Sequence, residues 1–292
     1  MSSADSSERL MLRRNNWFFL IGALLVSPAQ ANDLESQLKM ASGKAGFVAP
    51  DHSELQHIAQ NFQDAFNGHE NTIDWHTLAM ESQAHPGFII IQENASMRQG
   101  RGFFALRQLE TKNWLLQAPH ADTDLYTGKI TSRLFLEGPF KAAQWNTVSR
   151  KTLIEGQDYP ADMAHLPDTY WQAFTQAFAE KYSDGKIIQL HGYEQNSRKT
   201  RAGEASDMIL SAGHTDPPQW VKQTADCLKN AFPGRVSLYP VDVKELGGTT
   251  NVQGKLLQQL GHNGFLHIEM SKKLRQQLLD QSETRSLLIK CL

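Results

Sequence analysis

One histidine and two aspartates follow a single apolar segment of the chain. The run Trp114-Leu115-Leu116 predicts a buried strand, and His120, Asp122 and Asp124 come shortly after it. Tyr126-Thr127-Gly128 then predicts a turn. Because α/β proteins build their sites where strands end, these side chains are expected at a binding site.

The same arrangement recurs twice further along the chain. An apolar strand predicted at residues 187–190 runs into His191-Gly192, and another predicted at residues 265–268 runs into Glu269. Two histidines, an aspartate and a glutamate at strand ends are the side chains of a three-ligand metal site with one free carboxylate.

Two imidazoles and one carboxylate form a ligand set that suits Zn²⁺, which keeps an open position in catalytic sites. We therefore predict one zinc ion per chain, bound by His120, Asp124 and His191. Asp122 is the alternative third ligand, because in an extended segment it lies on the same side as Asp124. The aspartate that does not bind the metal can accept a hydrogen bond from an imidazole N–H.

Glu269 is the predicted catalytic carboxylate, because it leaves an otherwise apolar strand. A water molecule activated by zinc needs a nearby base, and the same group can then protonate a leaving amine. The structural alternatives are that Glu269 caps the next helix or pairs with Arg275.

Three further polar side chains are candidates for binding a substrate. Arg150 can bind a carboxylate with two parallel hydrogen bonds or polarise a carbonyl group, and Asn146 can bind the same ligand. Arg198 lies in a polar stretch after His191 that predicts an exposed loop over the site. His165 is a weaker candidate, because it is expected in the loop before a helix.

Other motifs in the sequence predict structure rather than chemistry. Neither a Gly-x-Ser-x-Gly nor a His-Glu-x-x-His motif occurs. The segment Gly247-Gly248-Thr249-Thr250-Asn251 lacks the lysine and the spacing of a phosphate-binding loop, and it predicts a tight turn that caps a helix. His214, His262 and His267 have no arranged partners, and we expect His267 to be packed in the core.

The pattern of apolar residues predicts strands that alternate with helices. Predicted strands cover residues 88–91, 103–109, 115–118, 187–190, 208–211, 236–239 and 265–269, and predicted helices cover 55–66, 168–182, 218–232, 251–260 and 271–279. Residues 130–135 and 140–144 are expected to be helical or irregular, and Asp168 is the expected N-cap of its helix. The order indicates an α/β fold, a three-layer αβα sandwich over a mixed β-sheet.

Length and charge limit the class of protein. The chain has 292 residues, of which 21% are charged, and its net charge is -2. The basic residues are scattered, which argues against a nucleic-acid-binding surface. Residues 32–292 are predicted to form a single domain, and the oligomeric state is left open.

The N-terminus is typical of a secretory signal peptide. Arg13-Arg14 precedes an apolar run from Trp17 to Val26, and Ala29-Gln30-Ala31 provides a pattern for cleavage near Ala31. We therefore expect residues 1–31 to be removed and the protein to be periplasmic or secreted, with no membrane partner after cleavage. In such an oxidising compartment Cys227 and Cys291 can form a disulfide bond or remain free thiols.

The order of these residues resembles the zinc carboxypeptidase-like superfamily, and above all the poly-γ-glutamate hydrolases and N-formylglutamate amidohydrolase-like proteins. His191-Gly192-Tyr193 looks like the strand end that carries the family's second histidine. The segment from Glu269 through Ser271 to Arg275 looks like the family's Glu-x-Ser-x-x-x-Arg ending. The likeness spans about residues 114–275. It implies a three-layer αβα fold, one zinc ion and hydrolysis of an amide bond in a substrate that bears a carboxylate.

Two departures from the family concern the ligands and the substrate pocket. The carboxylate ligand is Asp124 rather than the usual glutamate, and its spacing from His120 differs from the His-x-x-Glu of carboxypeptidases. Asn146 and Arg150 are also spaced more widely than the adjacent Asn-Arg of that family. The resemblance to the family is therefore stronger for the metal site than for the substrate pocket.

Together these observations predict a periplasmic zinc-dependent amidohydrolase or peptidase that acts on a small molecule or peptide. Peptidoglycan peptides and γ-glutamyl compounds are the expected substrates, on grounds of location and analogy. The alternative is a non-catalytic periplasmic binding protein that uses the same arginines to bind an anionic ligand. An enzyme requires His120, Asp124, His191 and Glu269 to converge on one point.

Overall fold

The computed structural model describes residues 28–43 and 46–292. Over this part of the chain the strands are β1 (Met80–His85), β2 (Phe88–Glu93), β3 (Phe103–Arg107), β4 (Lys112–Ala118), β5 (Phe140–Trp145), β6 (Lys186–Tyr193), β7 (Met208–Ser211), β8 (Val236–Leu238) and β9 (Phe265–Ser271). The helices are α1 (Pro28–Ala41), α2 (His52–Phe66), α3 (Thr127–Glu137), α4 (Tyr170–Lys181), α5 (Arg201–Ala205), α6 (Gln219–Ala231), α7 (Val252–Gln259), α8 (Lys272–Asp280) and α9 (Ser282–Cys291).

The strands form a mixed sheet in the order β1-β2-β3-β5-β4-β6-β9-β7-β8. Its centre is parallel, because β4 pairs in parallel with β5 and β6, and β6 pairs in parallel with β9. Strands β1, β2 and β3 form antiparallel pairs at one side, and β7 runs antiparallel to β9 at the other. The chain leaves β4 for β5 on one side and later enters β6 on the other, which creates a crevice at the carboxyl end of β4.

Helices cover both faces of the sheet. One apolar core joins one face to α1, α3, α6, α8 and α9. A second joins the opposite face to α2, α4 and α7, and it contains a group of tilted and edge-on aromatic rings around Phe62 and Phe174. Since alternate residues of a strand point to opposite faces, both cores are filled by the same strands. The architecture is the predicted αβα sandwich over a mixed β-sheet.

Most predicted elements agree with the structure, and two details require correction. Residues 140–145 form the buried strand β5, not a helical or irregular segment, because Phe140 and Trp145 are packed between the helical layers. This strand lies between β3 and β4 and pairs with both. The N-cap of α4 is Thr169 rather than Asp168, because the Thr169 hydroxyl accepts the hydrogen bond from the backbone N–H of Gln172.

Cys227 and Cys291 form a disulfide bond that joins α6 to the end of α9. Of the alternatives considered from the sequence, the structure contains the bridge, and it fixes the C-terminal helix to the outer layer.

The predicted signal sequence lies mostly outside the described residues, which begin at Pro28. Arg13-Arg14 and the apolar run after it belong to the part that is not described. The predicted cleavage position near Ala31 lies in the first turn of α1. Among the helices that are described, none has both the length and the apolar character required to cross a bilayer.

Candidate metal centre

The loop after β4 turns Asp124 back over His120. The backbone N–H groups of Thr123 and Asp124 both donate to the carbonyl of His120, at 3.1 and 2.8 Å. This tight turn leaves Asp122 exposed and buries Asp124, whose Oδ2 lies 3.3 Å from Nδ1 of His120. Of the two aspartates proposed as the third ligand, the one that faces the histidines is Asp124.

His191 reaches the same point from β6, the neighbouring parallel strand. Its Nδ1 lies 3.1 Å from Nδ1 of His120 and 3.6 Å from Oδ2 of Asp124. The backbone N–H of Gly192 donates to the same Asp124 oxygen at 2.9 Å, which ties the aspartate to the end of β6. His120, Asp124 and His191 are all buried, and each offers one atom that could be a metal ligand at the same point.

Asp162 and Arg150 hold the His120 ring from the outer side. Asp162 Oδ1 lies 2.8 Å from His120 Nε2, and Arg150 Nη2 donates to Asp162 Oδ2 at 2.8 Å. Because an ionised carboxylate only accepts, His120 presents its N–H at Nε2 and can direct the Nδ1 lone pair toward His191 and Asp124. Arg150 Nη1 also lies 3.2 Å from His120 Nδ1, so the arginine closes this side of the group.

The two residues that contact His120 from outside lie at the ends of one loop. Within it, the backbone N–H of Ala161 donates to the carbonyl of Thr152, and that of Ile154 donates to the carbonyl of Tyr159. These hydrogen bonds bring the beginning and the end of the loop together, so Arg150 and Asp162 reach His120 side by side.

Glu269 and His267 come from β9, on the strand face that His191 occupies on β6. His191 pairs with Glu269 in the parallel register, and His267 lies two residues earlier on the same side. The His267 ring is 4.6 Å from the His191 ring between centroids, and ligand atoms of His191, His267 and Glu269 lie within 4.8 Å of one another. Within the described part of the chain, the buried Oε2 of Glu269 has no hydrogen-bond partner.

The charges of the group divide into ionised and neutral members. Burial alone would raise the pKa of Asp124 and Asp162, but their hydrogen bonds with the histidines outweigh the effect of burial. The pKa of Asp124 therefore falls far below its usual range, and that of Asp162 falls to about 2. Burial lowers the pKa of His191 to about 4. For His120, the hydrogen bonds to Asp124 and Asp162 overcome burial and raise the pKa.

Glu269 differs from both aspartates. Burial, followed by the negative charge of Asp124, raises the pKa of Glu269 to about 8. A carboxyl group with such a pKa can change its protonation state near neutral pH, which is what a general base and acid requires.

The three predicted substrate-binding residues have different surroundings. Arg150 is partly exposed beside His120, with 38% of its side chain accessible. Arg198 packs over the ring of Tyr193 and lies 3.7 Å from Glu245. Its positive charge partly opposes the rise in the pKa of Glu269 that burial and Asp124 cause. Both arginines are thus within electrostatic reach of the site.

Asn146 has a structural role instead. Its amide nitrogen donates to the carbonyl of Pro119 at 3.0 Å, and its amide oxygen accepts from the backbone N–H of Val148 at 3.1 Å. The side chain is buried, so both ends of the amide support the loop that carries His120 and contact with a substrate is not indicated.

Two residues of the group, Asp162 and His267, were not predicted to belong to it. Within the segment 161–165 the candidate was His165, which is exposed in a turn, whereas Asp162 three residues earlier contacts His120. His267 is packed in the core as expected, but it also has partners, His191 and Glu269. The signal for His267 was its position two residues before Glu269, because that spacing places two side chains on one face of a strand.

Comparison with known proteins gives structural neighbours only. No protein-family profile and no curated protein matches the sequence. An N-formylglutamate amidohydrolase from Ralstonia eutropha is 14% identical with a TM-score of 0.43, over 65% of this chain and 96% of that one. A succinylglutamate desuccinylase from Vibrio parahaemolyticus is 12% identical with a TM-score of 0.39, over 73% of this chain and 72% of that one.

A third neighbour is bovine thrombin-activatable fibrinolysis inhibitor in complex with a tick carboxypeptidase inhibitor, at 8% identity and a TM-score of 0.41, over 79% of this chain and 94% of that one. These neighbours come from the zinc carboxypeptidase-like superfamily that the sequence motifs resemble.

Proposed function

We propose that the chain is a zinc-dependent hydrolase that cleaves an amide or peptide bond in a substrate bearing a carboxylate. The observation that carries the proposal is the convergence of three donor atoms, Nδ1 of His120, Nδ1 of His191 and Oδ2 of Asp124. Their separations are 3.1, 3.3 and 3.6 Å.

These separations suit a tetrahedral cation. Zinc lies about 2.0–2.1 Å from nitrogen and oxygen ligands, and a tetrahedron with bonds of that length has edges of about 3.3 Å. Two imidazole nitrogens and a carboxylate oxygen converge there in a buried space, which is the ligand chemistry that zinc prefers. We infer that His120, Asp124 and His191 bind one Zn²⁺ per chain.

When bound, zinc supplies a Lewis acid that polarises a carbonyl group and acidifies a water molecule. Glu269 would take the proton of the attacking water, since its buried Oε2 has no hydrogen-bond partner among the described residues. It would then deliver that proton to the leaving nitrogen, so one carboxyl group serves both steps.

We propose that Arg150 binds the anionic part of a substrate. Its guanidinium group is partly exposed, and one of its nitrogens is fixed by Asp162. An arginine held in this way can form charge-assisted hydrogen bonds with a carboxylate or with the oxyanion that develops during amide hydrolysis. Arg198 supplies a second positive charge nearby.

We further propose that the mature protein is periplasmic or secreted and acts on small molecules or peptides, without a nucleic-acid or membrane partner. The N-terminal sequence pattern supports the location. Peptidoglycan peptides and γ-glutamyl compounds are the substrate classes that combine an amide bond with a nearby carboxylate in that compartment.

The test compares hydrolysis by metal-free and zinc-loaded protein with a panel of N-acyl amino acids, γ-glutamyl peptides and peptidoglycan peptides. We expect turnover only with zinc, and we expect Glu269→Gln to retain zinc while losing a factor of about 10² to 10⁴ in turnover. Zinc-independent binding of an anionic ligand, without turnover of any substrate in the panel, would favour the binding-protein alternative instead.

A further inference from the structure

A row of polar side chains crosses the middle of the sheet beneath the candidate metal centre. Paired residues of β5, β4, β6, β9 and β7 place Gln144, Gln117, Gln189, His267 and Ser211 side by side. All five are buried. Since buried polar groups are costly unless they are hydrogen-bonded, the direction of each hydrogen bond in such a row is constrained.

One end of the row is fixed by a backbone carbonyl on α4. The hydroxyl of Thr175 donates to the carbonyl of Trp171 at 3.0 Å, so its oxygen accepts from Nε2 of Gln117 at 2.9 Å. The Gln117 amide therefore presents its oxygen to the next strand. Nε2 of Gln189 donates to that oxygen at 2.8 Å.

A second chain of contacts starts from the loop before α4 and fixes the same orientation. The carbonyl of Met163 accepts from Nε2 of Gln253 at 3.0 Å, which leaves Oε1 of Gln253 to accept from Nε2 of Gln189 at 3.2 Å. Because both Gln117 and Gln253 offer an oxygen, the nitrogen of the Gln189 amide must lie between them.

The N-cap of α7 provides a third constraint. Oδ1 of Asn251 accepts from the backbone N–H groups of Gln253 and Gly254, so Nδ2 of Asn251 is the group that donates to Oε1 of Gln189. The oxygen of Gln189 then also faces His191, with a distance of 2.8 Å to Nε2. Hydrogen bonds to three separate backbone groups, the carbonyls of Trp171 and Met163 and the N–H groups at the start of α7, thus fix the orientation of the Gln189 amide. Its oxygen faces His191, which requires an N–H group at Nε2 of His191.

We propose that Gln189 is a positioning residue, which fixes the tautomer and the ring orientation of His191 through the buried amide network formed by Gln117, Gln189, Asn251 and Gln253 with Thr175. An imidazole N–H at Nε2 leaves the lone pair on Nδ1, the atom that faces His120 and Asp124. The consequence for metal binding rests on the proposed function, whereas the tautomer of His191 is a property of the metal-free protein.

The first test is the tautomer of His191 in metal-free protein, measured by long-range ¹H–¹⁵N correlation spectra with ¹⁵N-labelled histidine. We expect the form with hydrogen on Nε2 in the wild type. We expect Gln189→Met, which keeps the length of the side chain but removes the acceptor, to shift His191 toward the other form. A wild-type His191 with its hydrogen on Nδ1 overturns the proposal even if the variant does not fold.

The matched control is Gln144→Met. Gln144 lies in the same row and is equally buried, but among the described residues its amide nitrogen donates only to Thr175 and its oxygen has no partner. It should therefore leave the His191 tautomer unchanged.

Zinc affinity, measured by competition with a chromophoric chelator, provides the second readout. We expect a loss of about 10- to 100-fold for Gln189→Met and no change for Gln144→Met. Equal zinc affinity of Gln189→Met and wild type, with an unchanged tautomer, overturns the proposal. A wild type that binds no zinc overturns the proposed function, and the expected tautomer would still support the role of Gln189.

Discussion

The Nδ1 atoms of His120 and His191 lie 3.1 Å apart in the buried crevice at the end of β4 and β6. Each imidazole has its other nitrogen beside a hydrogen-bond acceptor, Asp162 for His120 and Gln189 for His191. The two Nδ1 lone pairs consequently face each other and Asp124. A cation between these three atoms would be bound by both lone pairs and by the carboxylate, which is the basis for the proposed zinc site.

Asp162→Asn should weaken zinc binding without removing a ligand. The substitution preserves the shape of the side chain but removes the charge that orients and polarises His120, so we expect the zinc affinity to fall about 10- to 100-fold. Chelator competition would measure the change. Asp158→Asn is the control, because Asp158 is exposed on the same loop, and an equal loss in both variants would contradict the role of Asp162.

Gly192→Ala should disturb both the fold and the candidate site. A Cβ atom at this position would overlap Nη1 of Arg275, whose side chain is buried and cannot move aside freely. We expect the free energy of unfolding to fall by about 1–3 kcal/mol, a typical cost of overpacking. Because the Gly192 N–H donates to Asp124, zinc affinity should fall as well.

Urea unfolding and zinc competition would test this substitution, with Gly46→Ala as the control. A Cβ atom at Gly46 would meet no atom of the described residues within 4 Å, apart from its neighbours in the chain. If Gly192→Ala were as stable as Gly46→Ala, the close contact between Gly192 and Arg275 would be refuted.

Removal of the disulfide bond should destabilise the protein without changing the metal site. Cys227 and Cys291 are 64 residues apart, and closing a loop of that length restricts the unfolded chain by about 4 kcal/mol. We expect the double variant Cys227→Ser, Cys291→Ser to unfold at lower urea concentration and to keep its zinc stoichiometry. Unchanged stability would indicate that the bridge does not form in solution.

Glu93 should make stability depend on pH. Burial raises the pKa of this carboxyl group, which accepts from the backbone N–H of Gln99 at 2.5 Å. The folded state then binds more protons than the unfolded state above the ordinary carboxyl pKa, so the free energy of unfolding should decrease as pH rises. Glu93→Gln should reduce this slope, whereas the exposed Glu110→Gln should not, in urea unfolding at about pH 5 and about pH 7.

The sequence predicted the centre of the fold well because the central strands are buried on both faces. Residues 187–190 and 265–268 are apolar apart from Gln189 and His267, and the polar residues that end these segments mark the site. Strand β1 was not predicted, since Met80–His85 is a largely polar strand at the edge of the sheet. Residues 140–144 predict a helical or irregular segment rather than strand β5, because their short apolar run has no decisive period.

The supporting residues were harder to find than the ligands. Asp162 lies in an irregular loop, and only tertiary contacts bring it to His120. Gln117 and Gln189 could have been recognised from the sequence, because each is a glutamine inside an apolar strand. Gln189 also lies two residues before His191, a spacing that places both side chains on one face of the strand. Their common role depends on the strand register, which the sequence does not reveal.

The most direct test of the central claim is the metal content of the purified protein. Elemental analysis should find about one zinc per chain in the wild type and in His57→Ala, a control at an exposed position of α2. Folded His120→Ala and His191→Ala proteins should lose the metal. A wild type that contains no zinc and cannot be loaded with it, or zinc retained by both ligand variants, would contradict the account.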